Sequence, residues 1–368
     1  MWPASSMRTD RFGGRSDGVG GYWPPEANHL HSRSSRVLVT SSLLLICSQC
    51  LVPQNLGIVD PTYDSGAHVV TVETQQTRSQ ITDEKEERYM AGAVQAERQH
   101  RLRLSCSESN LSHVKLKCSK FEVIQDYQLL IGLIPKCGGT NWARLLLTLL
   151  GFYSASERLE PREANQELYR RVKYLYAYNA SRQSFLLDNY WRVLFVRNPY
   201  TRLLSAFRDR LEAYPNRFLG QRREYNKVIY TKFENHSAAE TPDPSVPSEL
   251  YNVTFRGFID FYLSGHIDVH WQEQHKICHP CLRYDYLGKV ETYDADVVEV
   301  LKLIDADPKY RPYKALNPTH SDEEENLKNY YATLTDDQFI KLRKMLQTDM
   351  NYFGYSVPES IRRPHIEE

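Results

Sequence analysis

The chain has 368 residues, with 46 Lys plus Arg set against 46 Asp plus Glu, and 41% of its residues are hydrophobic. Those figures allow one large or two small folded domains with an ordinary core, and they exclude a repeat architecture, because nothing recurs at a fixed period. The zero formal net charge names no partner; only local patches can, and no nucleic-acid partner is expected.

Residues 1–36, rich in Ser, Gly, Pro and Arg, are expected to be a disordered tail. Residues 37–52 (VLVTSSLLLICSQCLV) are apolar, but they fall short of the roughly 20 residues of a spanning helix and are weakened by Ser41, Ser42, Ser48 and Gln49. Arg8, Arg11, Arg15, Arg33 and Arg36 precede them with few acids, the bias of a cytoplasmic flank. A signal anchor and a cleaved signal peptide both fit. Residues 53–105 are polar, threonine-rich and then charged, the composition of a stem with at most one solvent-exposed helix from Thr82 onward. The folded domain is expected over 106–356, with a tail over 357–368.

Within that domain, Leu129–Ile134 has the length and content of a buried strand, and Asn141–Leu150 carries Leu145, Leu146, Leu149 and Leu150 at helical spacing. Between them lies Pro135-Lys136-Cys137-Gly138-Gly139-Thr140-Asn141. A strand, a small-residue loop and a helix bring backbone N–H groups and the positive end of a helix dipole to one point, and paired glycines let the backbone approach an anion closely. A plain turn would use the same glycines. Lys136 precedes both glycines, whereas the lysine of GxxxxGK[ST] follows the last one, so an ATPase or GTPase is disfavoured.

Trp191–Arg197 (WRVLFVR) is a second apolar strand, and it runs into Asn198-Pro199, an N-cap followed by proline at the first helical position. The helix continues with Leu203, Leu204, Phe207 and Leu211 on its buried face and Thr201, Arg202, Ser205, Arg208 and Asp209 turned elsewhere. Arg197 at the strand end and Ser205 in the early helix are thus candidates for a second phosphate. A solvated strand end is the plainer alternative.

Residues 155–190 contain a helical stretch, and 213–248 reads as a long loop, functional or disordered. Cys47 and Cys50 sit in the apolar segment, leaving Cys106, Cys118, Cys137, Cys278 and Cys281, an odd number that implies one free thiol if the rest pair. Cys278 and Cys281 beside His266, His270, His275 and His279 invite a zinc reading; disulfides in an oxidising compartment are the favoured alternative. Sequons at Asn110, Asn179, Asn235 and Asn252 all follow the apolar segment. Thr335-Asp336-Asp337-Gln338 forms a capping box, after which Phe339, Leu342, Leu346 and Met350 share one helical face; Asp322–Glu325 reads as solvated surface.

The Pro-Lys-x-Gly-[small]-Thr-Asn-Trp loop and the later Phe-Val-Arg-x-Pro-x-x-Arg-Leu-x-Ser-Ala-Phe-Arg resemble the two nucleotide elements of sulfotransferases. More narrowly, residues 115–356 resemble Golgi carbohydrate sulfotransferases of the chondroitin/dermatan 4-O and HNK-1 type, through His270-Trp271, Cys278-His279-Pro280-Cys281, Tyr284–Thr292 and Tyr330-Tyr331 to Tyr355. One departure is plain: the family's loop cysteine directly precedes the threonine, where this chain has Gly139 and carries its cysteine at Cys137.

The resemblance implies an α/β fold, P-loop-like and three-layered, with a central parallel sheet flanked by helices. It implies 3′-phosphoadenosine 5′-phosphosulfate (PAPS) as co-substrate without a metal. Pro135–Asn141 would hold the 5′-phosphosulfate. Arg197, Asn198, Pro199, Tyr200, Thr201, Arg202, Leu203, Leu204 and Ser205 would form the 3′-phosphate element. Lys136 would act at the leaving phosphate, and His270 is the first candidate for the base, with Glu273 and His266 as rivals. The implied acceptor is a glycan hydroxyl, foremost position 4 of N-acetylgalactosamine in chondroitin or dermatan; the basic residues Arg202, Arg208, Arg210, Arg217, Arg222, Arg223 and Lys227 would suit such a polyanion. Another glycan acceptor, or a non-catalytic glycan-binding protein, are the alternatives. A type II Golgi membrane protein with a lumenal catalytic domain is the implied location.

Overall fold

The computed structural model describes residues 92–108, 117–154, 159–212, 219–234, 252–314 and 319–367. The expected tail, apolar segment and most of the stem lie outside these residues, as do Asn110, Asn235 and Arg217.

Among the described residues, four strands form the sheet, in the order β1 (Phe121–Ile124), β2 (Leu129–Leu133), β3 (Trp191–Val196), β4 (Tyr286–Lys289). Strands β2, β3 and β4 are parallel, as a buried strand-loop-helix pattern requires, while β1 is antiparallel to β2. Only residues 125–128 join β1 to β2, too short a connection for a parallel crossover, so the edge strand must reverse. The sheet is therefore mixed rather than wholly parallel.

Side-chain alternation divides the core. Leu129, Ile131, Val193 and Phe195 meet α2 (Gly139–Leu149), α3 (Pro161–Arg171) and α9 (Tyr293–Leu303) on one face. Leu130, Leu194, Val196 and Leu287 point the other way, onto Leu102, onto Leu186 of α4 (Ala180–Asn189), and onto Phe353 at the end of α11 (Asp336–Phe353). A third cluster joins α5 (Pro199–Arg210), α6 (Leu219–Lys232), α7 (Phe255–Leu263) and α10 (Glu324–Tyr331) to α11 around Tyr200, Phe258, Trp271 and Tyr331. The capping box of α11 is formed, with Phe339, Leu342, Leu346 and Met350 buried as their spacing requires.

Three local expectations change. Residues 92–108 form a helix, α1, that is docked rather than solvent-exposed: Leu102 is buried, Arg98 Nη1 pairs with Asp296 Oδ1 at 2.8 Å, and Cys106 is disulfide-bonded to Cys281. A boundary at residue 106 would cut this helix, whose few buried contacts are too sparse to give a periodic signal. The stretch taken as a loop from residue 213 contains α6, held by buried Ile229 and by Asn226, whose side-chain amide donates to Leu211 O at 3.0 Å. Helix α5 is buried almost all round, including Thr201, Arg202 and Ser205, because the sheet side and the helical cluster enclose it together.

Candidate active site

The loop after β2 turns through two left-handed residues, Lys136 (φ 71°) and Gly138 (φ 82°). Gly138 is the N-cap of α2 and has no side chain to cap it, and the first helical bond runs from Trp142 N to Gly138 O at 3.1 Å. The amides of Gly139, Thr140 and Asn141 precede that bond and have no acceptor within the helix. A Cβ at Gly138 would lie 2.4 Å from Tyr293 Cε2, so the position accepts only glycine. Pro135, Lys136, Gly138, Gly139, Thr140 and Asn141 line a cavity of about 990 Å³, which thus receives a helix N-terminus and its free N–H groups.

Cys137 points the opposite way. It is the free cysteine among the described residues, fully buried, with its thiol donating to Gln274 Oε1 at 3.3 Å. Burial pushes that thiol up to about 12, which leaves it a packing group and no nucleophile.

On the β3 flank, Arg197 is buried and held from several sides: Nε donates to Thr201 Oγ1 at 3.1 Å, Nη1 to Lys136 O at 3.3 Å and Nη2 to Ser321 Oγ at 2.9 Å. Ser205 Oγ is 2.9 Å from Thr319 Oγ1, which is 2.9 Å from Ser321 Oγ. A guanidinium and a chain of hydroxyls thus converge where Arg197, Ser205 and Thr319 line the cavity. The backbone of Arg197 is fixed by Gln274, whose Oε1 accepts from Arg197 N and whose Nε2 donates to Arg197 O, both at 2.9 Å. Gln274 is itself anchored by Asp349 Oδ2, which accepts its N–H at 2.7 Å.

Between the flanks, Lys136 Nζ pairs with Asp209 Oδ2 at 3.0 Å. Burial lowers the lysine from its ordinary range; Asp209 opposes this, and Arg197 and Arg210 add to it. His270 lines the same cavity, its Nδ1 2.5 Å from Asp268 Oδ1. Burial alone would raise Asp268, but hydrogen bonds from the ring and backbone N–H of His270 hold its carboxyl at about 2. A carboxylate only accepts, so Nδ1 carries the proton and Nε2 keeps its lone pair. The Tyr225 hydroxyl steadies the carboxylate with a 3.2 Å bond to Oδ2. Burial lowers His270 below its usual value, against the pull of Asp268 and with the help of the Arg210 and Lys136 charges. A neutral, oriented imidazole near a partly buried ammonium suits proton removal from a hydroxyl.

Several expected residues stand away from the cavity. Tyr200, Leu203 and Leu204 belong to the helical core. Asn198 caps α5 by accepting from Tyr200 N at 3.0 Å, and Pro199 occupies the first turn. Arg202 spends its guanidinium on Pro135 O, Gln272 O and Val269 O, bracing the loop against the segment before α8 (Gln274–Ile277). Thr201 reaches the site through Arg197. A helix presents one face to a cavity, which α5 does through Ser205 and Asp209. Of the rival bases, neither Glu273 nor His266 lines the cavity: Glu273 pairs with Lys276, and His266 stacks on Phe261.

Cys118 is bonded to Cys278, and Cys106 to Cys281, so both sulfurs of the zinc reading are consumed. Its histidines are engaged as well: His275 Nδ1 lies 2.7 Å from Asp349 Oδ1, and His279 Nδ1 accepts from Cys281 N. Sequence reasoning missed Asp209, Asp268, Gln274, Thr319 and Ser321. Asp268, two residues before His270, and Asp209, one helical turn after Ser205, stood within reach of residues already singled out; Thr319 and Ser321 come to the site from a distant segment.

A family model described as "Sulfotransferase family" matches residues 119–356. Human carbohydrate sulfotransferase 9 is 29% identical over 259 residues, 67% of this chain but 55% of that protein, so the chain spans only about half of it. Carbohydrate sulfotransferase 12 of Mus musculus is 27% identical over 300 residues, 73% of this chain and 70% of its own. Carbohydrate sulfotransferase 11 of Rattus norvegicus is 27% identical over 250 residues, 65% and 68% of the two chains. No solved structure matches significantly. The match over residues 119–356 covers the whole sheet and both flanks of the cavity, and on it the chain belongs to the sulfotransferase family.

Proposed function

We propose that this protein transfers a sulfuryl group from PAPS to a glycan hydroxyl. The observation that carries the reading is the convergence, in one cavity, of free helix-N-terminal amides, Lys136, the Asp268-tethered His270 and the Arg197–hydroxyl cluster. PAPS carries two separate anionic groups, and the cavity offers two separate cradles for anions, the amides of residues 139–141 and the Arg197, Ser205, Thr319 and Ser321 cluster. When bound, PAPS supplies an activated sulfuryl group on a phosphate leaving group.

The chain's own part is electrostatic and positional. Lys136 and the loop amides are preorganised donors for charge gathering on the leaving phosphate oxygen, in a site where desolvation strengthens them. His270 Nε2 takes the acceptor hydroxyl's proton, and Asp268 stabilises the imidazolium that results. Asp209 pairs with Lys136 and keeps the ammonium placed and charged.

The names of the relatives support a carbohydrate acceptor. Within that class, the sequence resemblance favours position 4 of N-acetylgalactosamine in chondroitin or dermatan. The two disulfides support an oxidising compartment, in keeping with a lumenal domain in the Golgi apparatus held by an anchor over residues 37–52. The test is to incubate the purified protein with labelled PAPS and a panel of desulfated glycans and then locate the label. Sulfate at that position supports the full reading, sulfate elsewhere on a glycan keeps only the transferase, and no transfer to any glycan overturns it.

A further inference from the structure

The cavity continues past the loop toward the β1 edge of the sheet. Asn165 of α3 donates to Thr140 Oγ1 at 3.0 Å, and beyond this contact the wall is made by Lys120, Glu122 and Tyr174. Glu122 is the anomaly. It sits on β1 opposite Ile131, on the face that otherwise packs α2 and α3, and is only 4% exposed. One side of its carboxyl meets the Tyr174 hydroxyl, while Oε2 has no hydrogen-bond partner. Burial pushes the group up to about 7, with Tyr174 and Lys120 opposing. A buried, half-satisfied carboxyl in an apolar sheet face is retained at a cost, and here the residue that carries it is part of the cavity wall.

An aromatic platform adjoins it. Tyr176 stacks on Tyr174 at 5.2 Å with an interplanar angle of 13°, and Tyr169 lies 6.0 Å from Tyr174. Tyr176 is 63% exposed and Tyr169 64%; neither lines the cavity itself, and Tyr174, which does, joins both rings to it. A pyranose ring fits this combination, since one of its faces is C–H-rich and its rim carries hydroxyl or acetamido donors. The anion-binding flank lies on the β3 side of the loop and this arm on the β1 side.

We infer that the arm is a sugar subsite, in which a ring of the acceptor glycan lies against Tyr176 and donates a hydrogen bond to the Glu122 carboxyl. The inference rests on the proposal of a glycan acceptor, and its test is kept separate from turnover. The protein loaded with 3′-phosphoadenosine 5′-phosphate (PAP) is titrated calorimetrically with desulfated chondroitin, dermatan and N-acetylgalactosamine-terminated oligosaccharides. Tyr176→Ala and Glu122→Met each weaken oligosaccharide binding by about tenfold, Tyr176→Phe binds as the unaltered protein does, and PAP affinity and melting temperature hold. Phe185→Ala, which removes an exposed ring of α4 packed against Arg182, changes nothing. Should Glu122→Met fail to fold, the Tyr176 pair still decides.

The subsite is overturned if no oligosaccharide binds, if Tyr176→Ala binds as well as Tyr176→Phe, or if these variants lose PAP affinity instead, which would assign the arm to the nucleotide. Transfer of labelled sulfate with binding indifferent to Tyr176 sinks the subsite and leaves the transferase standing. Binding that depends on Tyr176 without transfer does the reverse.

Discussion

The two strand ends that face the cavity are built by opposite means. After β2, the cradle is backbone: contiguous residues, two of them left-handed, present amides that no side chain caps. After β3, it is side chain: Arg197 is oriented by Thr201, Gln274, Lys136 O and Ser321, and Ser205 by Thr319. Backbone donors are fixed as soon as the loop and its helix form, whereas a guanidinium with several rotatable bonds must be held by partners from elsewhere. The first cradle should therefore fail completely at single positions, and the second should degrade in steps.

The sharpest way to break the comparison is at the loop. Lys136→Ala lowers turnover on the order of 10³-fold with the melting temperature preserved, because one preorganised donor at the developing charge is lost. Single-turnover kinetics with saturating PAPS is the check, and near-normal rates would remove Lys136 from the chemistry. Replacing His270 with Gln costs on the order of 10²-fold. It should also abolish the acid limb of the pH profile of kcat/KM. The sign follows from the lowered His270: the base is active when neutral, so the limb lies below the ordinary histidine value of about 6.5, and activity falls as pH drops through it. A limb above that value would contradict the buried setting.

On the β3 side, Arg197→Ala shrinks the preference for PAPS over adenosine 5′-phosphosulfate by about 10- to 100-fold, the worth of one charge-assisted contact to the 3′-phosphate. Calorimetry with both nucleotides measures it. Equal losses for both would mean that Arg197 serves the loop through Lys136 O and does not read the phosphate. Removing a single hydroxyl, by Ser205→Ala or Thr319→Val, gives the smallest effect, about two- to tenfold on the same preference. If these two variants proved as damaging as Lys136→Ala, the stepwise character of the second cradle would be refuted.

How much of this was legible follows from range along the chain. The β2 strand, the glycine loop and α2 are contiguous, and strand length, glycine pairing and helical spacing marked all three. Asn198-Pro199 announced α5, and Thr335–Gln338 announced α11, since capping is settled within one helical turn. His270 stood out as a candidate, yet what would suit it to act as a base is Asp268 beneath it and the Lys136 and Arg210 charges nearby.

What the sequence by itself determined is thus the set of local conformations: where strands end, where helices begin, and which loop can take left-handed residues. Tertiary structure alone decided which of those ends meet. It made Thr319 and Ser321, which carried no sequence signal, partners of Ser205 and Arg197, and sent Cys137 into the core against Gln274. It also paired Cys106 and Cys118 with Cys281 and Cys278 across more than 150 residues. These contacts follow from the strand order and from how helices pack on the two faces of the sheet, which no short window of sequence encodes. A hydrogen bond between residues more than a hundred positions apart forms only after the whole chain has closed around it.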